Sequence, residues 1–423
     1  MDASGTTVGP VLRVATAGSV DDGKSTLIGR VLHDSRAVLA DQLAAVGEAS
    51  RRRGLTEPNL AFLTDGLRAE REQGITIDVA YRYFDTAHRT IVLADTPGHV
   101  QYTRNMVTGA STADAAVLLV DARAGIVEQT RRHAAVLALL QVPHVVLAVN
   151  KMDAVLDAPD AGRGVFDAVV AAFRSLRARP RDVTAIPLSA LDGDNVVRRS
   201  TRMSWYDGAT LLEHLEGLPS GEGGLSGARL PVQTVIRHGD YRGFAGRVSG
   251  ASLRVGDEVV VLPGTRRTVV ESIDTYDGPL QEACAGRSVS VRLAHDIDVG
   301  RGTVLAAAAD QPAVLAELTA TVCVLADRTL RAGDELVLMA GTREVPAMIT
   351  TVDGRLSLAS GAVEPADELG ENDLGVVVLQ LAEPVAVDSY DRNRSTGGML
   401  LVGPGGVPVA ACLAAPTVET RAA

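Results

Sequence analysis

The run Gly18-Ser19-Val20-Asp21-Asp22-Gly23-Lys24-Ser25-Thr26 constrains this chain more than any other feature. It matches the pattern G-x-x-x-x-G-K-[ST]. It follows a short Val-rich segment, Val11–Ala17, and opens an amphipathic one, Lys24–Leu32. A strand must therefore feed a helix through a loop whose glycines turn backbone N–H groups inward, and the helix adds its positive N-terminal end. That arrangement cradles phosphate oxygens. Lys24 is expected to reach the β- and γ-phosphates of a nucleotide, and the Ser25 hydroxyl to ligate Mg²⁺.

The segments after this loop predict the rest of the fold. From Val11 to about residue 217, short Val- and Ile-rich runs (RTIVLAD, AAVLLVD, HVVLAVN, VTAIPLS) alternate with helix-like stretches such as Gln129–Leu140 and Val165–Arg177. Buried strands separated by helices indicate a doubly wound, mostly parallel α/β sheet. Thr76–Phe84 differs, because Ile77, Val79, Tyr81 and Tyr83 alternate with other residues. It predicts an edge strand exposed on one face, with a hairpin into Thr90–Asp95.

Three further motifs stand at the carboxyl ends of these strands, where ligands of open α/β sheets bind. The first is Asp95-Thr96-Pro97-Gly98-His99. Asp95 can hold a magnesium-bound water there, and Gly98 can offer its N–H to a γ-phosphate. The second is Asn150-Lys151-Met152-Asp153. The Asp153 carboxylate can accept both N1–H and the exocyclic amine of guanine, a donor pair that adenine lacks. A polar site that an analogue leaves unpaired discriminates strongly. The third is Ser189-Ala190-Leu191, which can present backbone N–H to the guanine oxygen. Four motifs in this order predict GTP in place of ATP. Glu70–Thr76 and the segment from Asp95 are the regions expected to respond to the γ-phosphate. Thr76 is the candidate to bind Mg²⁺ and γ-phosphate together. His99 is the candidate to orient the attacking water. The other histidines, His133 among them, lack such a context and are expected to be structural or on the surface.

Beyond the sheet, Gly- and Ser-rich residues 218–229 form a linker candidate. Short Val-rich runs with turn signals then recur (RVGDEVVVLPGT, RAGDELVLMAGT), as in antiparallel barrels or sandwiches. A break near residues 308–314 divides this region into units at 230–309 and 313–415. A formal net charge of -11 argues against a general grip on nucleic acid or anionic membrane. The arginines at Arg51–Arg53 and within Arg174–Arg181 read as solvated faces. Cys284, Cys323 and Cys412 offer neither a disulfide framework nor metal-ligand spacing. With no secretory pattern near Met1 and no apolar run of about 20 residues, the expected location is the cytoplasm.

With these residues in view, the chain resembles the translational-type GTPases, a G domain followed by two β-barrels. Asp65–Asp78 resembles the elongation factors that carry aminoacyl-tRNA. Within that group it is most similar to the GTPase subunits of bacterial sulfate adenylyltransferases. That likeness rests on Val20–Thr26, where elongation factors usually have His or Ser in place of Asp22. It rests also on Ile77–Phe84, Gln101–Met106, Gln129–His133, Pro187–Asn195, Asp240–Gly246 and Ser395–Gly398. The resemblance implies an α/β P-loop GTPase domain over residues 11–217 followed by two all-β barrel domains. It implies GTP hydrolysis coupled to formation of adenosine 5′-phosphosulfate and pyrophosphate from ATP and sulfate. It also implies a heterodimer in which a separate small catalytic subunit carries that chemistry. Some relatives carry a fused kinase domain; this chain ends soon after the second barrel, so that activity is not expected. The competing expectation is an elongation-factor-like GTPase that binds aminoacyl-tRNA.

Overall fold

A computed structural model of the chain describes residues 11–38, 40–52, 54, 58–63, 78–99, 102–156, 161–219, 225–358 and 360–415. The chain divides into two compact units, one of residues 1–220 with 358–361, the other of residues 221–357 and 362–423.

The first unit is a six-stranded sheet in the order β2-β3-β1-β4-β5-β6. Its strands are β1 (Leu12–Ala17), β2 (Ala80–Asp85), β3 (Thr90–Asp95), β4 (Ala115–Asp121), β5 (His144–Asn150) and β6 (Val183–Pro187). All pairings are parallel except the β2–β3 hairpin at the edge. Every residue of β4 is buried, because helices cover both faces of the central strands. The core is built from Leu27, Ile28, Val117, Leu119, Val146 and Ile186, all at most 2% exposed. Each fully buried aliphatic side chain contributes roughly 1.5–3 kcal/mol. That lets a chain with only 3% aromatic residues hold a dense interior.

The helices are α1 (Lys24–Asp34), α2 (Ala40–Arg52), α3 (Thr103–Ser111), α4 (Glu128–Leu139), α5 (Ala161–Arg174) and α6 (Leu211–Gly217). In α1 the buried residues Leu27, Ile28, Val31 and Leu32 recur at helical spacing and face the sheet. Thr210 and Glu213 cap α6 reciprocally, satisfying two end amides of that short helix. The edge strand has the expected alternation, with Tyr81 and Tyr83 exposed and Phe84 buried. It begins at Ala80, later than its sequence suggests. The Val79 N–H is taken at 2.7 Å by the Asp78 side chain instead of by β3, so Asp78 and Val79 stand outside the ladder. Thr76 and Ile77 lie outside the described residues.

The second unit holds two antiparallel barrels of six strands each. In the first, Glu258–Leu262 pairs with both Arg266–Thr275 and Val304–Ala307, closing the sheet. In the second, Glu335–Ala340 pairs with both Arg343–Leu356 and Gly398–Val402. Closure leaves those strands without free edges. The two copies of the Arg-x-Gly-Asp-Glu pattern fold identically. Asp257 accepts the Arg254 N–H at 2.8 Å, and Asp334 accepts the Arg331 N–H at 3.0 Å. Between the barrels the fully buried Arg229 makes a two-pronged bond to Asp388, at 3.0 and 2.9 Å, and donates to the Asp310 carbonyl at 2.6 Å. Of the linker candidate at residues 218–229, residues 220–224 lie outside the described residues. From Leu225 onward the chain is engaged by the second unit, with Leu225 N–H donating to the Arg392 carbonyl at 2.9 Å and a strand starting at Arg229.

Candidate nucleotide site

The four motifs converge at the carboxyl ends of β1, β3, β5 and β6. Gly18–Gly23 forms the loop between β1 and α1. Asp21 has φ 67° and Gly23 φ 95°, a left-handed turn that carries the chain into the helix. A side chain at Gly23 is excluded twice over, since its Cβ would lie 2.5 Å from the Asn150 amide. Val20 and Asp21 are exposed on the loop, and Ser25 and Thr26 are half-buried in the first turn of α1.

Lys24 is buried, and its ammonium donates to the Gly18 carbonyl at 2.9 Å and the Ser19 carbonyl at 2.8 Å. Burial pulls its pKa down, while Asp95, Asp22 and Asp21 oppose that pull. Gly98 is packed against this group. A Cβ at Gly98 would fall 2.3 Å from the Lys24 Nζ and 2.8 Å from the Gly18 carbonyl. The loop from β3 thus comes close enough to the Gly18–Gly23 loop that only glycine fits. Asp95 is 2% exposed, Thr96 donates its hydroxyl to the Thr16 carbonyl, and Pro97 is buried. His99 is exposed, with its ring 6.1 Å from that of Tyr102 and its carbonyl accepting the Tyr102 N–H at 3.0 Å.

Asn150 ties three loops together. Its side-chain amide donates to the Asp22 carbonyl at 2.7 Å, and its oxygen accepts the Ala190 N–H at 2.9 Å. At 1% exposure these bonds are shielded from water, where leaving either partner unpaired is costly. Lys151 has φ 61° and extends to Asp121 at 3.0 Å. Burial works against the charge on Asp121, but hydrogen bonds from Arg123 and Lys151 hold its carboxyl well below the usual carboxylate range. Met152 is wholly buried, and Asp153 accepts the Ser189 hydroxyl at 2.6 Å. Ala190 N–H is engaged by Asn150, and the neighbouring Leu191 is 63% exposed.

Two participants escape a reading by motif. His133, on α4, is buried, and its Nδ1 accepts the Gly18 N–H at 3.0 Å. Burial foremost, then the neighbouring charges of Lys24 and Arg132, pushes its pKa down to about 3. The ring is neutral, with its proton on Nε2. The side-chain amide nitrogen of Gln129 lies 2.9 Å from Nε2. The signal was the four-residue spacing of Gln129 and His133, which puts both on one helix face. Asp121 is the second, at the end of a strand in the same row as the recognised motifs. Thr76 lies outside the described residues, as does the segment from 64 to 77. Among the described residues no group of three or more His, Cys, Asp or Glu could hold a metal ion, and no helix is long and apolar enough to cross a membrane. The arginines of α2 fit a solvated face: Arg52 pairs with Glu48 and is 77% exposed.

The geometry agrees with what comparison finds. Residues 9–274 match the elongation factor Tu GTP binding domain, and residues 317–414 match the GTP-eEF1A C-terminal domain-like family. The chain is 48% identical over 399 residues to sulfate adenylyltransferase subunit 1 of Methylorubrum populi, spanning 93% of this chain and 84% of that one. It is 44% identical over 398 residues to the same subunit of Cellvibrio japonicus, again covering 93% and 84%. It is 50% identical over 404 residues to the bifunctional enzyme CysN/CysC of Mycobacterium tuberculosis, covering 93% of this chain and 65% of that longer one. The chain therefore spans just under two-thirds of the bifunctional relatives and most of the single-function ones. This chain belongs to the family of sulfate adenylyltransferase subunit 1, whose GTP-binding domain is of the elongation factor Tu type.

Proposed function

We propose that this chain is the GTP-hydrolysing subunit of a cytoplasmic sulfate adenylyltransferase, working with a separate small catalytic subunit that forms adenosine 5′-phosphosulfate and pyrophosphate from ATP and sulfate. The observation that carries the proposal is the Asn150 bridge. One buried amide fixes the phosphate loop, through Asp22, and the Ser189–Ala190 loop, through Ala190. In a family named for sulfate adenylyltransferase, that arrangement suits a guanine nucleotide as the bound ligand.

The roles follow from chemistry. Asp153 accepts two hydrogen bonds from guanine, and the Leu191 N–H serves the base oxygen. Lys24 and the loop amides from Asp21 to Thr26 hold the phosphates. Ser25, Thr76 and Asp95 would hold Mg²⁺, an oxygen-ligand set of the kind that ion prefers. When bound, the metal would neutralise charge on the phosphate oxygens. Gly98 senses the γ-phosphate, and His99, exposed beside it, orients the attacking water. Joining sulfate to a phosphate at the expense of an α,β-phosphate bond is strongly uphill. An interface whose state changes with GTP hydrolysis can draw that reaction forward.

The test is GTP turnover by the purified chain, alone and then with the small subunit, ATP and sulfate. The proposal expects turnover to rise only when all three are present. Turnover indifferent to ATP and sulfate leaves a stand-alone GTPase.

A further inference from the structure

Two successive amides at the start of the phosphate loop are already occupied by side chains. Gly18 N–H goes to His133, and Ser19 N–H goes to the Asp22 carboxylate at 2.6 Å. Neither is left for a nucleotide. The second bond puts an acid where an anion cradle ordinarily holds none. Asp22 is 6% exposed, and its carboxylate lies 3.3 Å from the position a Cβ on Gly18 would take. It is therefore folded back into the loop and not out toward solvent. Burial foremost raises its pKa, with Asp121 adding to the rise, while the Ser19 N–H and the cations Lys24 and Lys151 favour the charged form. The loop binds phosphate because inward N–H groups, the helix end and Lys24 sum to a positive field. A carboxylate inside that loop subtracts from the field.

We propose that Asp22 is a built-in brake on nucleotide retention: its buried charge weakens the hold of the loop on nucleotide phosphates, so that spent guanosine diphosphate leaves without a separate exchange partner. This rests on the reading of the loop as a GTP site. The backbone amide and carboxylate of one residue lie within about 5 Å, so a phosphate held by that amide is roughly 7 Å from the charge. At an effective dielectric of about 20, repulsion at that range corresponds to at least about tenfold in retention. The same carboxylate has a structural duty, the Ser19 bond, and the two roles separate by substitution. Asp22→Asn keeps an oxygen acceptor for Ser19 N–H and removes the charge. Asp22→Ala removes both.

The experiment is stopped-flow displacement of fluorescent GDP and GTP analogues from the full chain, for wild type and both variants. The brake predicts that Asp22→Asn releases both nucleotides about tenfold more slowly than wild type. It also predicts that Asp22→Ala, its loop loosened, releases them faster than Asp22→Asn does. Release from Asp22→Asn at the wild-type rate or faster overturns the brake while leaving the GTP site intact. A wild-type chain that binds no guanine nucleotide overturns the GTP reading itself, and the brake with it.

Discussion

His133 turns the phosphate loop into a pH-sensitive structure, and the sign of the effect is fixed by its burial. In the folded chain the neutral ring accepts the Gly18 N–H at 3.0 Å, with Lys24 and Arg132 near enough to oppose a proton. Its pKa is about 3 in place of the ordinary 6.5. Between those values the unfolded chain binds a proton that the folded one refuses, so stability falls as the pH drops below 6.5. At pH 5 the gap is about 1.5 pH units, worth about 2 kcal/mol at ~1.36 kcal/mol per unit. Above about pH 7 the contribution is fully present. His133→Asn preserves an acceptor for Gly18 N–H and removes the titration. The chain has one tryptophan, Trp205, and it lies in the first unit, so its fluorescence follows the unfolding of that unit in denaturant. Between pH 7 and pH 5 the wild-type midpoint should fall, and the fall should exceed that of His133→Asn by the equivalent of about 2 kcal/mol. Equal pH dependence in the two proteins would refute the buried neutral ring.

Three other substitutions probe separate parts of the account. Asp153→Asn removes a charged acceptor of two hydrogen bonds, each worth about 1.5–3 kcal/mol, so GTP affinity should drop at least about a hundredfold and xanthosine triphosphate should gain. Titration with both nucleotides checks it, and an unchanged preference for guanine removes the base-reading role. His99→Ala should lower single-turnover GTP hydrolysis by about a hundredfold with little change in affinity; hydrolysis at the wild-type rate puts water orientation elsewhere. Asp388→Ala removes the two-pronged partner of the fully buried Arg229 guanidinium and leaves it only the Ala228 and Asp310 carbonyls and the Asp310 carboxylate at 3.6 Å. A loss of about 3–5 kcal/mol in the unfolding of the barrel unit, followed by far-ultraviolet circular dichroism, is expected, and a loss below about 1 kcal/mol contradicts it.

What the sequence made legible was chemistry contiguous along the chain. Gly18–Ser25, Asp95–His99, Asn150–Asp153 and Ser189–Leu191 are each motifs of adjacent residues, and each stands at the carboxyl end of a strand. What it hid were bonds across long separations. His133 lies 115 residues from the Gly18 N–H it accepts, and its spacing from Gln129 marks a shared helix face but not that distant partner. Asn150 could be read as part of a guanine motif, but not its grip on Asp22, 128 residues away. The start of β2 was obscured for a different reason. The alternation Ile77, Val79, Tyr81, Tyr83 in the sequence runs past the strand start at Ala80, where the Asp78 side chain takes the Val79 N–H and Thr96 bonds to Thr16. In the barrels, the repeated Arg-x-Gly-Asp-Glu pattern marked turns, while the Arg229–Asp388 pair, 159 residues apart, had no local signature.

The central claim is that GTP hydrolysis here drives a reaction completed on another chain. The most direct measurement is adenosine 5′-phosphosulfate formed by the reconstituted pair from ATP and sulfate, with GTP, without it, and with a non-hydrolysable analogue. The account predicts that product accumulates well beyond the uncoupled equilibrium only with hydrolysable GTP. Product reaching the same level in all three conditions would contradict it.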